Sequence, residues 1–240
     1  MQTPRRRISY PTRSTTACGF ALRLALIIVA FLPSPALCDD DTTDAKTPPD
    51  DKKTTALFNQ KNLDNWRVID TFDFKRHGKV EVVDGTVVLN KGEPATGISY
   101  TGKLPRIDYE ISLQAKRIEG DDFFCGLTFP VNDSHLSLII GGWGGGVTGI
   151  SNLDDRSAVE NETTGYTEFE RDRWYRIRLR VTADVVQAWL DDEKIVDAKI
   201  KDKKLSIWWE QEPARPLGIV TWYTKGAVKD IVLTRLDEEK

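Results

Sequence analysis

The stretch at residues 106–116 reads RIDYEISLQAK and alternates apolar and polar side chains along its length. Its apolar residues share one parity and its polar residues share the other: Ile107, Tyr109, Ile111 and Leu113 against Asp108, Glu110, Ser112 and Gln114. Successive side chains of an extended chain point to opposite faces, so this period of two places one apolar face against a core. The stretch therefore predicts a half-buried β-strand.

The same period recurs through the rest of the chain. Residues 174–182, WYRIRLRVT, place Arg176, Arg178 and Arg180 opposite the apolar residues, and we expect this charged face to be solvated. Further predicted strands are KVEVV, TVVLN, FFCGLTF, HLSLII, VVQAWL, KIVDAKI, LSIWWE, LGIVTWY and AVKDIVLTRL, with turns at Asp84-Gly85 and Asp191-Asp192. Many strands joined by short turns, without a convincing amphipathic helix, predict an all-β antiparallel sandwich or barrel.

The first 38 residues have the pattern of a secretory signal peptide. They contain no acidic residue, an apolar core at residues 24–32, and five arginines: Arg5, Arg6, Arg7, Arg13 and Arg23. Ala36 and Cys38 occupy the small-residue positions of a cleavage site, so we expect a secreted or periplasmic mature chain that begins at Asp39. A lipoprotein cleaved before Cys38 is the alternative, although Leu37 is bulky for it. The apolar core is too short to span a bilayer.

Two further segments follow the signal peptide. Residues 39–55 contain many acidic residues and no large apolar residue, which predicts a disordered acidic linker. Residues 56–237 show no composition break and no internal repeat, so we assign them to one domain.

Charge and cysteine content narrow the classes of partner. Removal of the signal peptide leaves 34 − 5 = 29 basic residues against 37 acidic ones, a net charge of 29 − 37 = −8. Nucleic acid and anionic membranes are therefore unfavourable partners, because both require a basic face. Cys125 is the one cysteine left in the mature chain, so no disulfide can form within it, and we expect this thiol to pack as a small hydrophobe.

A glycine-rich segment lies at residues 139–157, IIGGWGGGVTGISNLDDRS. Gly144, Gly146 and Gly149 satisfy the G-x-G-x-x-G spacing, but no helix pattern follows and the dinucleotide-binding interpretation fails. No Gly-Lys-Ser/Thr follows either, which excludes a P-loop. Two interpretations stay open: a connection between strands in which Trp143 caps the core, or a loop that contacts a ligand.

Five stretches of the chain resemble, in order, the family of 3-keto-disaccharide hydrolase domains. They are ALFNQKNLDNWRV, VVDGTVVLNKG, GKLPRIDYEISLQAKR, ERDRWYRIRLRVTADVVQAWLDDEKIVD and LGIVTWYTKGAVKDIVLTRL. The resemblance implies a concanavalin A-like or LamG-like jelly-roll sandwich in an exported bacterial protein, with a carbohydrate ligand. The family's central strand usually bears a glutamate, whereas this chain has His135 or Ser137 near that place.

Candidate site residues come from the acids and the seven tryptophans of the chain. Glycoside cleavage normally needs two carboxyl groups across a cleft, and we assign this catalytic role to Asp154, Asp155 and Arg156, which follow the glycine-rich segment. Asp121 and Asp122 are a further candidate carboxyl pair, but a solvated turn is the favoured interpretation, and Glu160 and Glu162 are interpreted as surface charges. The candidate ligand-binding residues are Trp143, Trp222, His135 and Glu210, because exposed aromatic rings stack on sugars and polar groups orient hydroxyls. We expect Trp66, Trp189 and one of Trp208 or Trp209 to pack in the core.

No cofactor or metal site is predicted. His77 and His135 are the only histidines, so a zinc site cannot be assembled without several carboxylates. Calcium stays open, because oxygen ligands near residues 152–157 suit it, although no spaced calcium-loop pattern is present.

Two functions from different classes remain. The first is an exported hydrolase or lyase acting on a glycoside, in which the acidity of the hydrogen beside the ketone of a 3-keto sugar permits elimination and rehydration. The second is a non-catalytic module that binds a glycan or a surface partner. A carboxyl pair that faces Trp143 across one concave surface favours catalysis, and a concave surface without acids favours binding.

Overall fold

The computed structural model describes residues 53–236, so the predicted signal peptide and residues 39–52 of the predicted linker lie outside the described residues. None of the described helices is long and apolar enough to cross a membrane. The described residues form fifteen strands: β1 Thr54–Ala56, β2 Trp66–Val68, β3 Val80–Val83, β4 Thr86–Leu89, β5 Ala95–Tyr100, β6 Tyr109–Glu119, β7 Cys125–Val131, β8 Ser134–Gly142, β9 Val147–Ser151, β10 Gly165–Tyr166, β11 Tyr175–Val181, β12 Val185–Leu190, β13 Glu193–Lys199, β14 Gly218–Trp222 and β15 Lys225–Arg235. Two short 3-10 helices lie at Phe72–Phe74 and Trp209–Ala214.

The strands form two antiparallel sheets. The eight-stranded sheet has the order β13-β12-β11-β6-β15-β4-β3, and β1 also pairs with β15. The seven-stranded sheet has the order β10-β9-β8-β7-β14-β5-β2. The main hydrophobic core lies between them and takes side chains from both. The predicted all-β two-sheet sandwich is confirmed.

Strand β6 shows why the alternating pattern works. Its residues alternate between buried and half-buried along Tyr109–Glu119, and the strand begins at Tyr109 rather than at Arg106. It pairs with β11, which alternates in the same way. On the outer face, Arg178 Nη1 and Arg180 Nε both donate to Glu110 Oε1, at 3.2 and 2.5 Å. The predicted charged face is therefore an exposed ladder of ion pairs.

The core confirms two predictions about single residues. Trp66 is buried, and its Nε1–H donates to the Leu57 carbonyl at 2.9 Å, which satisfies its one polar atom. Cys125 is a free thiol in the core, and burial raises its pKa to about 12. Trp189 differs from our expectation of a core residue: it lies on the outer face, 3.6 Å from the Arg178 guanidinium carbon to its ring centroid.

Three predictions need correction. Residues 205–210 were predicted as a strand, but Trp209–Ala214 is a 3-10 helix that contains Pro213, which cannot donate to a strand ladder. Thr54 and Thr55 were assigned to the linker, but they pair with β15 through backbone groups that leave no hydrophobic signal. Strand β5, residues ATGISY, went unpredicted because its polar residues Thr96 and Ser99 are buried on opposite faces, so no alternation of polar and apolar residues appears.

The outer face of the seven-stranded sheet is covered, unlike that of the eight-stranded sheet. A second hydrophobic cluster lies on it and includes Phe74 and Ala214, one from each 3-10 helix. Small residues of the sheet permit this close cover. A Cβ on Gly97 would lie 3.0 Å from Phe74 Cε1 and 2.9 Å from Val220 Cγ2, and a Cβ on Gly218 would lie 2.5 Å from Ala214 Cβ.

The core role of Trp66 gives a stability prediction. We expect Trp66→Ala to lower the free energy of unfolding by about 3–5 kcal/mol, because it leaves a cavity and an unpaired Leu57 carbonyl. The matched control is Trp174→Ala on the outer face, where Lys116 and Lys229 lie 5.1 and 4.5 Å from the ring centroid. Its expected loss is about 1 kcal/mol. Urea unfolding followed by circular dichroism compares the two, and equal losses would contradict this account of the core.

Candidate functional site

A pocket of about 220 Å³ opens on the covered face of the seven-stranded sheet. Strands, the glycine-rich loop between β8 and β9, and the second 3-10 helix all contribute to its wall. The lining residues are Asp122, Phe123, Ile139, Trp143, Ser151, Ser157, Trp208, Glu210, Gln211 and Trp222. Three of the four predicted ligand-binding residues, Trp143, Trp222 and Glu210, therefore meet in one pocket.

Trp143 stands at the start of the glycine-rich loop. Its φ of 46° turns the chain out of β8, and its side chain is 47% exposed, so it does not cap the core. Its backbone N–H donates to Asp122 Oδ1 at 3.2 Å, and the same oxygen accepts the Phe123 N–H at 2.7 Å. One carboxylate thus fixes the tryptophan against the segment that leads into β7.

Arg117 anchors this loop from beneath. It shares the inward parity of β6 and is 5% exposed. Its Nη2 donates to three backbone carbonyls, those of Gly145 at 2.7 Å, Gly141 at 3.0 Å and Asp122 at 3.2 Å. Gly141 must lack a side chain, because its φ is 79° and a Cβ there would lie 2.5 Å from Arg117 Nη2.

Aromatic rings form the apolar walls of the pocket. Trp222 ends β14 and stacks on Phe123, with 6.0 Å between the ring centroids and 27° between the planes. Trp208 lines the pocket from the start of the second 3-10 helix and is 42% exposed. Trp143, Trp208 and Trp222 therefore offer three indole rings to one cavity, an arrangement suited to stacking on a ring-shaped ligand.

Glu210 brings a carboxyl group into this aromatic cavity. Burial raises its pKa above the ordinary value, and the nearby Asp73 carboxylate on the first 3-10 helix raises it further. Glu210 Oε2 and Gln211 Oε1 are buried, and neither has a hydrogen-bond partner within residues 53–236. Both residues line the pocket.

Asp122 supplies a second carboxyl group in a different environment. Burial raises its pKa, but three interactions favour its charged form and oppose this effect: the Phe123 and Trp143 N–H donors and the Arg117 charge. For Glu210, one backbone N–H opposes the effect of burial on the pKa, no cation does, and the Asp73 charge raises the pKa further. The two groups therefore differ in the balance that decides which keeps its proton.

The residues predicted to be catalytic do not line this pocket. Asp154 and Asp155 have φ values of 52° and 60° and form the tip of an exposed turn. Asp154 Oδ2 accepts from Lys203 Nζ at 3.0 Å, which lowers its pKa, and Asp155 Oδ2 accepts from Lys204 Nζ at 2.7 Å. Arg156 closes the same turn through its backbone. Proximity to the glycine loop in sequence does not carry them to the pocket, and their catalytic role stays a prediction.

His135 also lies apart from the pocket lining. It shares a face of β8 with Ile139, but four residues of extended strand separate the two by about 13 Å. Burial, together with the positive charges of Arg106 and Arg215, lowers its pKa to about 4, so the ring is neutral at neutral pH. Its ligand-binding role stays a prediction. Ser137, between them, bonds Thr128 at 2.9 Å, so β8 presents no acid to this face.

Sequence reasoning missed four residues that build the site. Asp122 was interpreted as a solvated turn, although it directly precedes the apolar stretch that enters the core. Arg117 continues the inward parity of β6, which was a usable signal that its side chain is buried. Gln211 and Trp208 gave no such signal, because the strand predicted there does not form.

Metal ligands are not grouped at the pocket. Within residues 53–236, no group of three His, Cys, Asp or Glu side chains is placed to hold a metal ion.

Comparisons with known proteins identify the relatives of this chain. The sequence model of the 3-keto-alpha-glucoside-1,2-lyase-like domain matches residues 53–234, which confirms the resemblance noted in the sequence. No curated protein matches the chain.

Solved structures share its fold at low identity. A structure described with endo-acting O-glycanases of human gut microbiota has a TM-score of 0.53 at 9% identity, covering 77% of this chain and 98% of that one. A carbohydrate-binding module from Bacillus subtilis has a TM-score of 0.50 at 10% identity, with coverages of 72% and 97%. The endo-beta-1,3(4)-glucanase SCLam has a TM-score of 0.51 at 9% identity, with coverages of 76% and 89%. At these identities the likeness shows the fold alone.

The loop anchor and the loop tryptophan differ in how much we expect them to contribute to stability. We expect Arg117→Met to lower the free energy of unfolding by about 3 kcal/mol or more, because three carbonyl groups lose their donor while the volume is kept. Trp143→Ala removes a half-exposed ring and is expected to cost less than about 1 kcal/mol. Urea unfolding measures both, and a larger loss for Trp143→Ala would return the tryptophan to the core.

Proposed function

Because the chain belongs to the family of 3-keto-alpha-glucoside-1,2-lyase-like domains, we propose that it is a carbohydrate-active enzyme that cleaves a glycoside, such as a 3-keto-glucoside, in the pocket described above. The observation that carries this proposal is the pair of carboxyl groups, Asp122 and Glu210, lining one cavity with Trp143. A sugar ring stacks on the indole rings, and Gln211 orients its hydroxyl groups.

The environments of the two acids assign their roles. Glu210 is the general acid, since burial and the Asp73 charge both make it hold its proton to a higher pH. Asp122 is the general base, since two N–H donors and Arg117 favour its charged form. Asp122 and Arg117 also hold the Trp143 loop, so the base and the stacking platform move as one unit.

The elimination needs two proton transfers, and the hydration that follows reverses them. Asp122 removes the hydrogen from the carbon beside the ketone, and the electron pair of that C–H bond becomes an enolate. Collapse of the enolate forms a carbon–carbon double bond and expels the glycosidic oxygen, which takes the proton of Glu210 and leaves as an alcohol. Water then adds to the double bond: the ionised Glu210 takes a proton from the attacking water, and Asp122 returns its proton to the carbon beside the ketone, which gives the free 3-keto sugar and restores both acids. No nucleophile on the protein is required.

A non-catalytic glycan-binding module is the second candidate. It is favoured by one observation, that β8 presents His135, Ser137 and Ile139 to the covered face and no acid. The same fold serves the carbohydrate-binding module from Bacillus subtilis. In this function Trp143, Trp222 and Glu210 are contacts to the sugar, and no group transfers a proton to it. Asp154, Asp155 and Arg156 stay an alternative catalytic set.

Export belongs to the proposal as well. The arginine-rich start, the short apolar core and the small residues before Asp39 favour a cleaved signal peptide, and an extracellular or periplasmic location places the domain where exogenous glycosides occur.

Substitution of the two acids tests catalysis. We expect Glu210→Gln and Asp122→Asn each to lower kcat/KM on 3-keto-glucosides by a factor of about 100 or more. The wild-type kcat/KM should fall at low pH as Asp122 gains its proton and at high pH as Glu210 loses its proton. Because both pKa values are raised, both limbs should lie above the ordinary carboxyl range of about 4.

The controls separate chemistry from folding. A pKa raised in the folded state means that ionised Glu210 disfavours folding above that pKa, so Glu210→Gln should not lower the free energy of unfolding at neutral pH. Asp154→Asn and Asp155→Asn are matched controls and should keep activity. If they abolish turnover and Glu210→Gln does not, the turn residues are the catalytic set. If the wild type binds the sugar without turnover, and the variants bind it with the same affinity, the protein is the binding module and not the enzyme.

The export proposal is tested on the mature protein. We expect the purified protein from a secreting host to begin at Asp39, because Ala36 and Cys38 satisfy the cleavage pattern. N-terminal sequencing measures this directly. Retention of Met1 would reject cleavage, and a lipid on Cys38 would establish the lipoprotein alternative.

A further inference from the structure

Exposed aromatic rings lie on the segments that line the pocket and on segments that contact them. Six aromatic side chains are among the exposed large hydrophobic residues of the described chain: Phe72, Trp143, Tyr166, Trp208, Trp209 and Tyr223. Exposed apolar surface that is concentrated in one place marks a binding surface more often than scattered residues do. Trp143 and Trp208 line the pocket itself, and the other four lie beyond it.

Each of these four rings packs against a pocket-lining segment or is a chain neighbour of a residue that lines or acts on the pocket. Trp209 lies between Trp208 and Glu210 in the chain, and Tyr223 packs edge-on against Trp222 at 6.1 Å between centroids. The Tyr166 ring lies where a side chain on Gly146 would be, so it supports the loop that carries Trp143. Phe72 precedes Asp73, whose charge acts on Glu210.

Two of the rings stand on the side of the general acid. The two 3-10 helices contact each other, and Phe72 and Trp209 are their first residues. Phe72 is 68% exposed and Trp209 is 61% exposed, so folding leaves both rings uncovered. Phe72 has a φ of 52°, a backbone conformation that a bulky residue rarely adopts, and yet its ring points to solvent.

The size of the cavity limits what it encloses. Pockets that enclose a whole drug-sized ligand measure about 300–1,000 Å³. This one measures about 220 Å³, which suits a single ring. The rest of a glycoside must therefore lie outside the cavity, on its rim. The acid that protonates the glycosidic oxygen stands between the two parts, so the leaving group lies on the Glu210 side.

We propose that Trp209 and Phe72 form a subsite for the leaving group. The protein then selects glycosides whose leaving group is a ring with an apolar face, either a phenol or a second sugar. This inference rests on the proposed function, because Glu210 as the acid sets the side on which the leaving group departs. The shared chemistry of the two leaving groups is an apolar ring face, which stacks on an exposed indole or phenyl ring. An alkyl leaving group has no such face.

The test compares leaving groups on the full mature protein. The substrates are methyl, phenyl and glucosyl 3-keto-α-glucosides, and the variants are Trp209→Ala and Phe72→Ala. Trp174→Ala is the matched control, because its ring lies on the outer face of the eight-stranded sheet and does not line the pocket. We expect Trp209→Ala to raise KM for the phenyl and glucosyl substrates about tenfold and Phe72→Ala several-fold, with the methyl substrate unchanged. Trp174→Ala should change none of the three. An effect on the phenyl substrate alone supports the subsite and identifies a phenol as the leaving group.

Two outcomes separate this inference from the proposed function. Turnover of all three substrates with equal effects of Trp209→Ala would overturn the subsite and leave the catalytic proposal intact. Absence of turnover in the wild type would overturn the catalytic proposal, and calorimetric binding of unreactive phenyl α-glucoside against methyl α-glucoside then decides the subsite. Tighter binding of the phenyl compound that Trp209→Ala abolishes supports it, and equal binding of the two compounds overturns it.

Discussion

The site depends on how closely chain segments approach the outer face of the seven-stranded sheet. Gly97 and Gly218 remove the side chains that would hold the 3-10 helices away, and the contacts that replace them leave no room for a Cβ. Phe74 and Ala214 then fix the two helices over the sheet, and the uncovered part of the face becomes the pocket. The eight-stranded sheet carries an ion-paired ladder of Arg178, Arg180 and Glu110 instead, which needs water rather than cover. The pocket therefore forms on the seven-stranded sheet and not on the eight-stranded one because small side chains on its outer face let the helices pack closely.

The fold follows from the sequence where one strand face is wet and the other dry. Strands β6 and β11 were predicted because Tyr109 and Tyr175 begin strict alternations, and the Asp84-Gly85 turn between β3 and β4 has the positive φ values that its residues permit. Strand β5 escaped prediction for the opposite reason: both of its faces are covered, and its polar residues Thr96 and Ser99 lie one on each face, so no alternation reveals the strand. The pair Trp208-Trp209 was mistaken for a strand because both residues are apolar. They are apolar because they lie at the rim of the pocket, and the prolines that follow them, Pro213 and Pro216, determine the backbone conformation.

The site was predictable in its residue types and less so in its membership. Trp143, Trp222 and Glu210 were selected for chemical reasons, and they meet although 79 positions separate the first from the second along the chain. The sequence favoured Asp154 over Asp122 because Asp154 directly follows the glycine-rich segment along the chain, whereas Asp122 precedes it by about twenty residues. The loop turns back between β8 and β9, so the carboxylate that holds it precedes it in sequence. Closure of this kind depends on strand pairing, which no local pattern contains.

Arg117 has a consequence for how the pocket responds to its surroundings. Its guanidinium keeps its charge throughout the physiological pH range, and its three acceptors are amide carbonyls, which do not titrate. Asp122 retains an oxygen that accepts hydrogen bonds whether or not it is protonated. The scaffold that shapes the cavity is therefore indifferent to acidity, while the acids inside it are sensitive to acidity. A change in pH therefore changes the protonation of the acids in the pocket but not the hydrogen bonds that shape it. Under the proposed function, ligand recognition is thereby separated from the protonation state of the two acids.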